Sequence, residues 1–234
     1  MRSLLTGLLV AGLALLGGTQ LVVPSFLADR VAQGLQGSMN GAAVHVQLDA
    51  FPALRILAGS VDRLTVTVSD VTVDGLALES LRLEAVDVRL DVPGLLRGEA
   101  WRPQPGDRVT LQAVVSEPAV AALVRERLPE ELDVDVHLQA GGLELHGRTT
   151  VLGVPMDLAL RGRIAPDETG TRLVFVPEEI LVGGRPLADW VAAVLRQTYT
   201  ASVDLETAPV PMVVEEVVHE PGRLIITGRP RRAG

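Results

Sequence analysis

The stretch LTVTVSDVTVDGLALESLRLEAVDVRLDV, residues 64–92, decides how this chain folds. Its apolar side chains fall at Leu64, Val66, Val68, Val71, Val73, Leu76, Leu78, Leu81, Leu83, Val86, Val88, Leu90 and Val92, with polar or small residues between most of them. A strand sends successive side chains to opposite faces, so this spacing predicts sheet that is greasy on one side and wet on the other. Asp74-Gly75 is a hairpin-turn dipeptide inside it. An apolar residue also recurs every five positions, at Val66, Val71, Leu76, Leu81 and Val86. Five is odd, so each step reverses the face, which demands a turn or bulge at each step or a sheet buried on both sides. A pentapeptide solenoid shares this period but normally needs more copies.

Outward from this stretch the chain alternates helix and strand signals. Ser25 is a helix cap before an apolar stripe of Leu27, Val31 and Leu35, and Val44, Val46 and Leu48 alternate as a strand. Phe51 to Ala58 reads as a short helical turn or loop closed by Gly59. Pro93, Gly94, Pro103, Pro105 and Gly106 mark a linker near 93–108. Thr110 to Val115 reads as a strand, and Ser116 caps a second helix from Glu117 to about Leu128, with Val120, Leu123, Val124 and Leu128 inward. Strands follow at 132–138, after the Gly141-Gly142 turn, at 156–164 and at 172–176. Pro186 opens a third helix carrying Leu187, Trp190, Val191, Val194 and Leu195 at helical spacing. A short strand at 203–205 and a hairpin around Glu220-Pro221-Gly222 end the chain. The expected fold is α+β: a strongly bent, mainly antiparallel sheet packed with about three amphipathic helices, with an apolar groove as one outcome. Residues 24–230 are expected to form one domain of two loosely similar halves.

Composition narrows the function. The 234 residues can bury a substantial core, and Leu, Val and Ala supply nearly all of it, since aromatics are only 3%. All 21 basic residues are Arg, and the net charge is −8, which argues against nucleic acid as a partner. There is no Cys, which excludes disulfides, thiol catalysis and thiolate metal sites. Arg2 followed by an apolar run from Leu4 to Val23 reads as a signal peptide or an N-terminal membrane anchor over residues 1–23. Either places the remainder outside the cytoplasm.

Chemistry-bearing motifs are absent. His45, His137, His146 and His219 stand at separations that match no compact metal motif, and three of them sit beside apolar strand positions, facing the other way. The acid pairs Glu130-Glu131, Glu178-Glu179 and Glu215-Glu216 read as solvated strand or edge residues. With no lysine, a phosphate-binding P-loop is impossible. No catalytic residue, metal site or cofactor is expected.

Phe51-Pro52-x-Leu54-x-x-Leu57-x-Gly59, with the alternation that follows and the later Leu181-x-Gly183-Gly184-x-Pro186-Leu187 step, resembles the LmeA-like family of envelope phospholipid-binding proteins. The resemblance extends to the N-terminal apolar segment, the helix before the first strand and the final hairpin, so it covers most of the chain from Pro24 onward. It implies an extracytoplasmic domain related to tubular lipid-binding folds, in which a bent sheet and helices enclose a groove for acyl chains, with no catalytic residues. The implied partners are a phospholipid or another acyl-chain lipid, and a membrane. The wall residues expected on this reading are Phe51, Leu54, Leu57, Leu64, Val66, Leu76, Leu78, Leu81, Leu83, Leu187, Trp190, Val191 and Val194. Arg55 and Arg63 read first as surface ion pairs and second as phosphate contacts at a rim. The competing reading is an anchored structural or protein-interaction domain whose apolar faces are all satisfied internally. An apolar cavity of several hundred Å3 separates the two.

Overall fold

The structure, a computed structural model, describes residues 43–52, 55, 58–91, 93–94, 97, 108–128, 133–151, 154–186, 202–208 and 210–231. The expected leader or anchor, the helix after Ser25 and the helix after Pro186 lie outside the described residues, as does most of the linker. Two compact units emerge, Met1–Val68 with Arg82–Thr110, and Ser69–Leu81 with Leu111–Gly234.

In the first unit, β1 (Ala43–Asp49) neighbours β2 (Ser60–Ser69, up to Val68), and β2 neighbours β5 (Ser80–Arg89, from Arg82 on). Val46, Leu48, Val61, Leu64, Val66, Val68, Leu83, Ala85, Val88 and Leu90 are its buried apolar residues. Along β5 the buried positions are odd through Ala85 and even from Val88, and Asp87 between them has φ 57°. An inserted residue does this, resetting the face that a strand buries. Gly59 is a required glycine: its φ is +79°, and a Cβ there would lie 2.4 Å from the Leu90 carbonyl oxygen. That approach lets the Leu90 N–H donate to the Gly59 carbonyl at 2.7 Å.

The five-residue rhythm has a simple origin. Val66 lies on β2, Val71 on β3 (Val71–Val73), Leu76 on β4 (Leu76–Leu78) and Leu81 on β5. Asp70, at φ 61°, and the Asp74-Gly75 turn, at φ 47° and 83°, separate these strands, so the face is reset by turns rather than by a solenoid. β3 and β4 form a hairpin with Val73 opposite Leu76.

The second unit also contains β6 (Arg108–Ser116) from Leu111 on, paired to β14 (Arg223–Pro230), which pairs in turn with β13 (Met212–Glu220). A separate antiparallel sheet runs in the order β11-β10-β9-β8-β7. Its strands are β7 (Asp133–Gln139), β8 (Gly142–Val151), β9 (Val154–Pro166), β10 (Arg172–Val182) and β11 (Arg185–Pro186), and β12 (Ser202–Asp204) adds to β10. Strand β13 touches β9 and β7, and helix α1 (Glu117–Arg127) touches β7 and β4.

This corrects the expectation of one bent sheet packed with about three helices. The described residues are mostly antiparallel strand, and α1 is the one α-helix among them described end to end. The reason is that 111–115 and 212–228 alternate with the same period of two as 133–182, so strands supply much of the cover expected from helices. Ser116 also departs from its expected role, because its side chain makes no capping hydrogen bond. The Glu117 N–H instead donates to the Gly222 carbonyl at 2.9 Å.

Strand β9 outruns β8, whose Leu143 pairs with Gly162. Two residues on, the Ile164 N–H donates to His219 Nε2 at 3.0 Å, so this histidine caps the exposed end of the ladder. Accepting that bond requires a neutral ring nitrogen. Burial, and next the Arg163 guanidinium, hold the His219 pKa below its ordinary 6.5, while Glu178 pulls the other way. The unfolded chain therefore takes up a proton that the folded chain resists. The stabilisation is complete above about pH 6.5 and is lost as pH falls through the lower folded value. His219→Gln keeps an acceptor without the titration, so urea unfolding between pH 7 and 5 should show a shallower acid-side loss than in the wild type. Equal slopes would show that the His219 contact does not carry the effect.

Candidate functional site

The register of β7 to β10 places apolar residues in rows on one face. One row is Val136, Leu145, Leu160 and Ile180; the next is Leu138, Leu143, Gly162 and Pro177. Ile164 opposite Phe175 continues the face beyond the end of β8. The other face carries His137, Glu144, Arg161 and Glu179 in one row. There Arg161 bridges Glu144 at 3.0 Å and Glu179 at 3.2 Å, and Arg163 meets Glu178 at 3.4 Å. These pairs are exposed and contribute little to stability.

Cover over the apolar face is uneven. Val136, Leu138 and Leu143, beneath the helix, are buried, whereas Leu145, Leu160, Ile164 and Phe175 are only half-buried. The space above them is a cleft of about 480 Å3. Its walls are Val120, Leu123, Val124 and Leu128 from the helical segment, Leu143, Leu145, Leu160, Ile164, Leu173, Val174 and Phe175 from the sheet, and Leu76, Val203 and Leu224. Arg127 and Ser202 are the two polar residues on this wall. Arg127 donates through Nη1 to the Ser202 carbonyl and through Nη2 to the Asp74 carbonyl at 2.9 Å and to Asp74 Oδ2 at 3.2 Å. The Asp204 N–H, at 3.0 Å, and then Arg127 hold the Asp74 carboxyl below its usual range against partial desolvation.

Gly162 shapes the floor. A Cβ there would meet the Val176 carbonyl oxygen at 2.4 Å and the Phe175 ring at 2.7 Å, so the missing side chain lets the ring lie across this position. A second cleft, on the wet face, is lined by Asp135, His146, Arg148 and Asp157 among others and has the opposite character.

Of the wall residues expected from sequence, Leu76 stands on this cleft. Leu64, Val66, Leu78, Leu81 and Leu83 are buried at 0–7% exposure, and Phe51 is 77% exposed after a cis peptide to Pro52. Leu54, Leu57, Leu187, Trp190, Val191 and Val194 lie outside the described residues. Arg55 pairs with Asp62 at 2.9 Å and Arg63 with Glu84 at 3.2 Å, as surface ion pairs. The floor residues Leu145, Leu160, Ile164 and Phe175 were missed as site residues, although their alternation was legible as strand. Among the described residues no group of three or more metal-ligating side chains comes together, and no helix is long and apolar enough to cross a membrane.

Gly162→Ala should destabilise the protein by about 1–3 kcal/mol, the usual cost of overpacking. It should also perturb the Phe175 side-chain resonances; an unfolding midpoint and Phe175 signals equal to wild type would contradict the close packing described.

No curated protein and no solved structure matches the chain. The family model described as LmeA-like phospholipid-binding matches residues 18–229, most of the chain. With that coverage, the chain belongs to the LmeA-like phospholipid-binding family.

Proposed function

We propose that this protein binds phospholipid, or another acyl-chain lipid, by burying acyl chain in the cleft over β8–β10, and that it does so without catalysis. The observation that carries the reading is the half-buried floor of Leu145, Leu160, Ile164 and Phe175 under an aliphatic helix face. Apolar side chains left in contact with water in a concave site gain from any apolar ligand that displaces it. Each methylene transferred contributes about 0.8 kcal/mol, so one chain supplies much of the binding energy with few polar contacts. A protein that works this way needs no nucleophile and no metal. The family match supports the lipid as ligand.

The place of action proposed is the cell envelope, outside the cytoplasm. The apolar run from Leu4 to Val23 after Arg2 supports export, with secretion or retention at the membrane by residues 1–23. A soluble binding domain beside a membrane can carry lipid between surfaces, and transfer is the role proposed here.

Native mass spectrometry of the protein purified from cells, with extraction and identification of bound lipid, tests the proposal. Co-purified phospholipid, or uptake of a fluorescent acyl probe, is the expected result. Leu160→Trp fills the cleft and should weaken probe uptake at least about tenfold, the change expected from excluding two or more methylenes. Its circular dichroism and unfolding midpoint report whether the fold survives. Protein that carries no lipid and takes up no probe would overturn the reading.

A further inference from the structure

We propose that the cleft holds a single acyl chain in one direction, its carbonyl end at Arg127 and Ser202 and its methyl end toward Val120 and Leu143; this rests on the lipid-binding reading above. Volume gives the number of chains. A cleft of about 480 Å3 is of the size that holds one small apolar ligand.

Polarity gives the direction. All polarity on the wall is gathered at one point, because Arg127 and Ser202 are bonded to each other while the remaining wall is aliphatic or aromatic. A guanidinium carries five N–H groups. The bonds to Ser202, the Asp74 carbonyl and Asp74 Oδ2 leave Arg127 with donor capacity toward an oxygen acceptor. The neighbouring Asp74 carboxylate already balances its charge, and Asp204 lies beside it. That balance favours a carboxyl or ester carbonyl oxygen over a doubly charged phosphate. The opposite end is built differently. Val120 lies two helical turns before Arg127, about 10 Å along the axis. Leu143 pairs with Leu138, whose N–H reaches Glu117 Oε2 at 2.7 Å, which places Leu143 beside the start of the helix. An acyl chain therefore fits with its oxygens at the C-terminal end of α1 and its tail at the N-terminal end.

The shared chemistry is an acyl carbonyl, from a free fatty acid or from a phospholipid ester, and the two sources are separable. The full chain is titrated with saturated fatty acids from about eight to about eighteen carbons and with lysophosphatidylglycerols of the same chains, competing against a fluorescent acyl probe. Affinity should rise about fourfold per added methylene, the fold-change of about 0.8 kcal/mol, and level off once the tail outgrows the cleft. One acyl chain should bind per protein in native mass spectrometry. Tighter binding of the free acid at equal length assigns the carboxyl as the end group, and tighter binding of the lysolipid assigns the ester; either supports the proposal. Stearate carrying a nitroxide near its carboxyl should broaden the methyl resonances of Leu128 and Val203. A nitroxide near the methyl end should broaden those of Val120 and Leu143. Two chains per protein, affinity independent of length, or the reversed broadening pattern overturns the inference while leaving lipid binding intact. A protein that takes up no lipid or acyl probe at all overturns the lipid-binding reading itself.

Discussion

Glu117 is the residue on which the architecture of the second unit turns. Its N–H donates to the Gly222 carbonyl at 2.9 Å, and its carboxylate accepts the Leu138 N–H at 2.7 Å. The Gly222 N–H returns to the Leu138 carbonyl at 3.1 Å. Through its backbone N–H and its carboxylate, Glu117 thereby joins the start of α1, the end of β7 and the turn between β13 and β14. Each bond satisfies a backbone group that an element end would otherwise leave unpaired. At the other end of the helix, Arg127 is held by Asp74 and Ser202. A helix clamped at both ends has no freedom to settle over the middle of the sheet. It covers β7 and leaves the rows of β9 and β10 half-open, and that offset is the cleft.

The two faces of the same strands divide the labour. On the wet face, Glu144, Arg161, Glu179, Arg163 and Glu178 alternate in sign and neutralise one another locally. Exposed pairs of this kind contribute little energy, but they keep a broad sheet soluble and discourage pairing with other edges. Among the described residues that line the cleft, Arg127 and Ser202 are the polar ones. Lipid binding needs no reactive constellation, because burial of methylenes is non-directional and needs no placed donor or base.

What could be read from the residues follows from how local each feature is. The Asp74-Gly75 turn, the final hairpin and the strand face of His45, His137 and His146 depend on near neighbours, and all three stand as the spacing predicts. The five-residue rhythm predicted turns or bulges, and Asp70 and Asp74 supply backbone at positive φ at two of its steps. The count of helices packed on one sheet went wrong because period-two alternation says that a strand has an apolar face, not which strand or helix will cover it. Gly162 looks unremarkable in sequence; its role appears only when β10 brings the Phe175 ring and the Val176 carbonyl against it.

The sequence by itself determined the strands, their greasy and wet faces, the turns between them and a family whose ligand is a lipid, because each is encoded in spacing or in short motifs. Only the tertiary structure decided where the cleft lies. Its floor joins residues from three strands through their register, and its roof is placed by Glu117 and Arg127 through partners between 21 and 105 positions away. Cleft position is a difference between two coverings of the same face, and no local pattern in the chain records that difference.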